Sequence, residues 1–453
     1  MGFKKDFLWG ASAASYQIEG AWKEDGKGLS VWDHFAEKKG AVYQGHSGKV
    51  ACDHYHRFKE DVAIMKELGL QSYRFSISWP RVLPEGKGKI NEKGLDFYSR
   101  LVDELLAAEI IPFPTLFHWD YPYELYCRGG WLNPDSSEWF AEYTEAVVDK
   151  IGDRVDRWFT LNEPQVFIEL GHMTGEHAPG VRLQPRDRVR MIHNVLLSHG
   201  KAVKVLREKG GAGTRIGMAP VCGVFLPSDE REKTIEAARE RMFRSDTEDT
   251  FDGWTNSWWM DPVFRGRYPE ESLKHMGKYL PEGWERDMDI ISQPVDFLGN
   301  NNYHGTPVKI GDKGKAVPET PAEGEPLTGF NWRVVPEAIY WGSKFLYERY
   351  KKPIIITENG LSSKDWVSLD GKVHDPQRID FAHRYLREYK RAADEGIDLE
   401  GYFHWSIMDN FEWAAGYRER FGMVHVDFAT QKRTIKDSGY WYRDVIKSHG
   451  ENL

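Results

Sequence analysis

The chain has 453 residues, with 61 Lys and Arg against 70 Asp and Glu, for a net charge of −9. That balance gives no electrostatic footprint for nucleic acid or for an anionic membrane surface. Aromatic residues make up 14%, with 18 Trp, more than a core built mainly from Leu, Ile and Val calls for. Cys52, Cys127 and Cys222 are few and far apart, so no disulfide framework is expected. The start, Met1-Gly2-Phe3-Lys4-Lys5-Asp6, leads into a stretch broken by Gly, Ser, Gln and Glu. No signal peptide or membrane span is expected, and the expected location is the cytoplasm.

In chain order, short apolar runs predict strands at 7–11, 72–78, 110–117, 157–161, 215–219, 296–301, 353–357 and 399–405. Amphipathic stretches between them predict helices over 56–68, 91–108, 136–151, 186–209, 337–350 and 375–395. In the first of these, Phe58, Val62, Met65 and Leu68 recur near the helical period. Asn91 before Glu92, and Pro336 before Glu337, mark helix starts. Strands alternating with helices predict an α/β fold, a single (β/α)8 TIM barrel with long βα loops over residues 1–453. The surplus over a minimal barrel of about 250 residues falls in segments 8–53, 220–294, 303–335 and 360–374. Segment 311–329, rich in Pro, Gly and Glu, reads as loop throughout. The acidic stretches 229–232 and 245–252 read as solvated helix faces or loop rims.

Chemistry in such a barrel sits at the C-terminal ends of the strands. There the sequence places Arg74, His118-Trp119-Asp120, Asn162-Glu163-Pro164, Asn300 to His304, Glu358-Asn359-Gly360, His404-Trp405, and Asp409 to Trp413. Glu163 and Glu358 each close an apolar strand, and a closed sheet would bring them face to face. Two carboxyls across a cleft suit acetal hydrolysis: one protonates the leaving oxygen and the other meets the oxocarbenium-like centre. Taken singly, each reads first as a strand-end residue paired with arginine; the two together, with Asn beside one and Trp, His and Tyr around, point toward catalysis. A pyranose offers a C–H face that stacks on indole, and Trp119, Trp332, Trp405 and Trp413 fall on strand ends or nearby loops. Trp79, Trp254, Trp258 and Trp259 read as packing, and Gln17 as an amide for sugar hydroxyls or a loop cap. Cys52, His54 and His56 are metal-ligand types, but the two histidines, two positions apart, share no helical face, so no metal site is expected. There is no Gly-x-Ser-x-Gly elbow, and Gly211-Ala212-Gly213 precedes a strand instead of following one.

Several of these segments resemble glycoside hydrolase family 1. Phe7-Leu8-Trp9-Gly10 and Tyr16-Gln17-Ile18-Glu19-Gly20 resemble its N-terminal signature, Thr160-Leu161-Asn162-Glu163-Pro164 its acid/base motif, and Ile356-Thr357-Glu358-Asn359-Gly360 its nucleophile motif. The likeness continues through 73–81, 117–120 and 408–413 to Arg420-Phe421-Gly422, in the family's order. It implies a cofactor-free retaining β-glycosidase of the β-glucosidase type. Such an enzyme removes the terminal non-reducing β-D-glucosyl residue of β-glucosides and cello-oligosaccharides by double displacement. It also implies Glu358 as nucleophile, Glu163 as acid and then base, and Arg74 and Tyr303 as the groups that orient Glu358. Gln17, His118, Trp119, Asn162, Asn301, Trp405, Glu412, Trp413 and Phe421 would meet the sugar, with Trp332 flooring the aglycone side. Family members acting on 6-phosphorylated sugars usually replace the acidic residue that stands here as Glu412, so a plain sugar is expected. The thioglucosidase branch lacks the acid/base Glu, which is present here as Glu163. Tyr121-Pro122, Asn302 before Tyr303, and Ala13 depart from the commoner family residues. The alternatives are a transglycosylating enzyme with β-galactosidase or β-fucosidase preference, a catalytically inert glycan-binding barrel, and a metal-dependent barrel enzyme. No partner beyond the sugar substrate is implied.

Overall fold

The computed structural model describes residues 2–245, 253–311 and 314–453. Its centre is a closed barrel of eight parallel strands: β1 (Leu8–Ser12), β2 (Ser72–Ser76), β3 (Ile111–Phe117), β4 (Arg157–Asn162), β5 (Arg215–Ala219), β6 (Phe297–Asn301), β7 (Ile354–Asn359) and β8 (Leu399–Trp405). Each is bonded to the next in sequence, and β8 closes on β1. Parallel strands covered on both faces read as continuous apolar runs, which is why all eight fall where the hydrophobic pattern predicts. β2 stops short of Ser78 because that residue already precedes the short helix Trp79–Val82, with Pro80 in its first turn. β7 runs past its predicted end, so Glu358 lies inside the strand.

The barrel interior is filled by a separate cluster, Phe113, Phe159, Ala219, Phe297, Ile355 and Phe403, one residue from each of β3 to β8. Phe113 stacks on Phe159 at 4.5 Å and meets Phe297 edge-on at 5.5 Å. Glycines make the room: a Cβ at Gly217 would lie 2.3 Å from the Phe297 ring, and one at Gly10 would lie 2.5 Å from Phe403.

The outer helices His54–Glu67, Glu92–Ala107, Ser136–Ile151, Pro185–Lys209, Glu337–Tyr350 and Pro376–Asp394 match the predicted set. Asn91 does precede its helix, but its side chain does not cap it. It donates instead to the carbonyls of Asp25 and Arg81, at 2.9 Å each, and so ties the loop after β1 to the Trp79–Val82 turn. The long connections carry structure of their own. Among the described residues, four α-helices lie between β5 and β6. Ala316–Pro318 is a strand where the sequence reads as loop throughout: Val317 pairs with Lys309 in a sheet of Val224–Pro227, Gly305–Ile310 and Ala316–Pro318. Backbone pairing across the turn outweighs the local Pro and Gly content. The acidic stretch at 229–232 leads into the helix Glu232–Phe243, with Glu230 exposed. Most of the other, residues 246–252, lies outside the described residues. His54 pairs with Asp61 at 2.7 Å, and His56 lies between Asp53 and Glu24. Among the described residues, no helix is long and apolar enough to cross a membrane.

Candidate active site

The C-terminal strand ends open into a cavity of about 950 Å³, lined among others by His118, Trp119, Glu163, Tyr303, Trp332, Glu358, Trp405, Glu412, Trp413 and Phe421. Arg74, Asn162, Asn301 and Gln17 are fully buried behind that wall and hydrogen-bond to the lining. All fourteen residues singled out from the sequence therefore meet in one place.

Glu163 follows the last residue of β4. Its backbone takes a left-handed φ of 41° and donates to the Ala219 carbonyl at 2.8 Å, just before Pro164 opens a short helix. A non-glycine residue held in that region marks a local constraint. Its carboxyl accepts from the Asn301 amide at 2.8 Å. Glu358 is gripped from two sides. Arg74 Nη1 donates to Oε1 at 2.6 Å, and the Tyr303 hydroxyl donates to Oε2 at 2.7 Å. Tyr303 is steadied by Tyr385, which donates to its carbonyl at 2.9 Å. Asn302 turns the other way, its amide donating to the Ala338 carbonyl, so its departure from the family pattern does not displace Tyr303.

The two carboxyls differ electrostatically. Burial, and then the charge of Glu358, push Glu163 up to about 8, against weaker opposition from Asn301 and Arg74. Burial also raises Glu358, but the Arg74 guanidinium, the Tyr303 hydroxyl and Asn301 pull against it. Glu358 thus ionises before Glu163. Glu412 is driven well above its usual range by burial and by Glu358, with the Gln17 amide opposing at 3.2 Å. Because Glu358 helps to raise Glu163, Glu358→Gln should lower the Glu163 pKa from about 8. A carbon-detected NMR titration of the Glu163 carboxyl measures it; an unchanged midpoint contradicts the coupling.

Hydrogen bonding also assigns the neutral groups. Asn162 Oδ1 accepts from Arg74 at 2.5 Å and from Asn301 at 3.1 Å, which turns its Nδ2 toward His118 Nε2 at 3.0 Å. His118 Nε2 must accept there. Burial and Arg74 hold the imidazole well below its usual range, so it is neutral with its proton on Nδ1. Thr357 fixes the Asn301 amide by donating to its oxygen at 2.5 Å. Trp119 packs against Trp413 at 4.5 Å, both with positive φ, and the Trp119 indole donates to the Asn162 carbonyl at 3.0 Å. Trp332 stacks on Phe330 at 5.1 Å at the outer end.

Trp79, Trp258 and Trp259 are fully buried in packing, but Trp254 is 39% exposed and lines the cavity. The packing assignment of Trp254 is therefore corrected. Phe330, His177 and Cys222 also line the cavity. They sit on long loops without periodicity, and their sequence neighbourhoods carry no signal for it.

A closed parallel barrel whose mouth holds two unequal buried carboxyls among indoles is the frame of a glycoside hydrolase. The family model "Glycosyl hydrolase family 1" matches residues 1–451, and the chain belongs to that family. It is 47% identical over 449 residues, covering 99% of both chains, to a 1,4-beta-D-glucan glucohydrolase of Thermotoga neapolitana. It is 47% identical over 457 residues, again 99% of each, to beta-glucosidase A of Acetivibrio thermocellus. Among solved structures it is similar to the beta-glucosidase from Thermotoga maritima in complex with glucoimidazole, with TM-score 0.90, 46% identity and 99% coverage of both chains.

Proposed function

We propose that the chain acts as one catalytic barrel, a retaining β-glucosidase that releases the terminal non-reducing glucosyl residue of β-glucosides and cello-oligosaccharides. The observation that carries this is the asymmetry of the carboxyl pair: Glu358 bonded to Arg74 and Tyr303, and Glu163 raised to about 8 beside it. The names of the relatives favour glucose as the sugar.

In the first step ionised Glu358 attacks the anomeric carbon, while protonated Glu163 gives its proton to the leaving oxygen. The glycosyl ester removes the negative charge of Glu358. Glu163 then falls in pKa and can take a proton from the attacking water. Retention needs the carboxyls about 5–5.5 Å apart, and Glu163 and Glu358 line one cavity, near enough for the charge of one to raise the other. Gln17, His118, Asn162 and Glu412 hold hydroxyls, Asn301 orients Asn162 and Glu163 from behind them, and Asn162 keeps an amide proton for the 2-OH. Trp119, Trp405, Trp413 and Phe421 pack on the ring, and Trp332 supports the aglycone. A 6-phosphate beside Glu412 would be repelled by ionised Glu358.

Two signs follow for the rate. Activity rises with pH as Glu358 ionises, above the usual carboxylate range, and falls as pH passes through about 8 and Glu163 loses its proton. The deciding experiment is a panel of nitrophenyl β-glycosides and cellobiose, read as kcat/KM, with the anomer of the first product followed by NMR. Turnover of the glucoside to β-glucose, with the 6-phosphoglucoside refused, is the expected result. A first product of α configuration, or no turnover across the panel, sinks the proposal.

A further inference from the structure

Away from the carboxyl pair lies a buried knot of six charges. Asp409 Oδ1 accepts from Lys436 Nζ at 2.7 Å and from the Gly422 backbone at 3.1 Å, and its Oδ2 accepts from Arg420 at 2.6 Å. Lys436 also pairs with Asp365, which pairs with Arg378, and Arg378 pairs with Asp375 at 2.9 Å. Lys436, Asp409 and Arg378 are all 0% exposed. Three cations face three carboxylates, so the knot is balanced as a whole and unbalanced by any single loss. Burial pushes the Asp409 carboxyl up, but Lys436 and Arg420 outweigh it and hold it below its usual range.

The placement of the knot gives it a role. Asp409 and Gly422 are the two feet of the loop that carries Glu412, Trp413 and Phe421, and the Asp409 side chain joins those feet. Arg378 reaches from its helix to the Leu361 carbonyl, on the loop that leaves β7 after Asn359, next to Glu358. The two loops also exchange backbone bonds between Ser363 and Arg420, at 2.9 and 3.1 Å. One charge cluster therefore anchors both the loop with the sugar-facing groups and the loop behind the nucleophile.

We infer that Asp409 and Lys436 are positioning residues for sugar recognition, setting where Glu412 and Trp413 stand relative to Glu358 without touching substrate. This rests on the reading of Glu412 as a sugar contact. With Lys436 gone, Asp365 and Asp409 are left without the cation between them, and the feet of the loop lose one tie.

The test compares nitrophenyl β-glucoside with nitrophenyl β-xyloside, which lacks the hydroxymethyl group. Lys436→Met and Asp409→Asn should each raise KM for the glucoside about tenfold and lower the glucoside-to-xyloside ratio of kcat/KM about tenfold. kcat should fall much less. Lys436→Arg, which keeps the charge, should recover most of the ratio, a recovery that loss of stability alone would not produce. The double variant should cost little more than the worse single one. Folded Lys436→Met or Asp409→Asn with an unchanged KM and ratio overturns the inference. If both fail to fold, Arg420→Met, at the 18% exposed edge of the knot, decides by the same criteria. Glu412→Gln separates the two levels. If it leaves the ratio unchanged, the sugar-contact reading falls as well; if it collapses the ratio and the knot variants do not, only this inference falls.

Discussion

Replacing Glu358 by glycine should cut hydrolysis of an aryl β-glucoside by on the order of 10⁵-fold, because the covalent route is lost. Truncation leaves a gap lined by Arg74 and Tyr303, the groups that held the carboxylate at 2.6 and 2.7 Å. A small anion fits that gap and that charge. Azide should therefore restore turnover and attack from the face Glu358 occupied, giving the α-glycosyl azide while Glu163 still protonates the leaving group. Product anomer is read by proton NMR. Ordinary hydrolysis persisting in Glu358→Gly, or a β-azide as product, would remove Glu358 from the nucleophile's role.

Glu163→Ala should show the complementary pattern. Substrates with poor leaving groups should lose about 10²–10⁴-fold in kcat/KM, whereas a dinitrophenyl glucoside, which departs without a proton, should lose little. Its second step should stall, because no base remains to activate water, so a burst of dinitrophenol followed by a slow phase is expected. Azide should speed the slow phase and yield the β-azide. The alkaline fall near pH 8 should disappear for the activated substrate, since the group raised to about 8 is gone. A uniform loss across leaving groups falsifies the acid/base assignment.

The eight strands were readable because each is a short apolar run ended by polar residues, and Glu163 and Glu358 stood out as the carboxyls at two such ends. What was not readable depends on distance in the chain. Asn91 reads as a helix start by its position, but not as the side chain that bonds to the distant carbonyls of Asp25 and Arg81. Ala316–Pro318 is paired only because Gly305–Ile310 lies beside it. Trp254 looks like any core indole until the loops are placed. Lys436, Asp409, Asp365 and Arg378 come from separate segments, and an ion pair between separate segments leaves no periodic trace in either of them.

The phenylalanine cluster inside the barrel governs traffic as well as packing. With Phe113, Phe159, Phe297 and Phe403 filling the interior, and the Arg74 guanidinium 5.4 Å from the Phe159 ring, the cleft is a blind alley. Under the proposed function a glycan would enter end-first, because among the described residues the phenylalanine cluster closes the barrel beneath the carboxyl pair. The severed aglycone would then leave first and vacate the path by which water arrives. The freed glucose would leave last through the same doorway, so accumulated glucose and the next chain end should compete for a single berth.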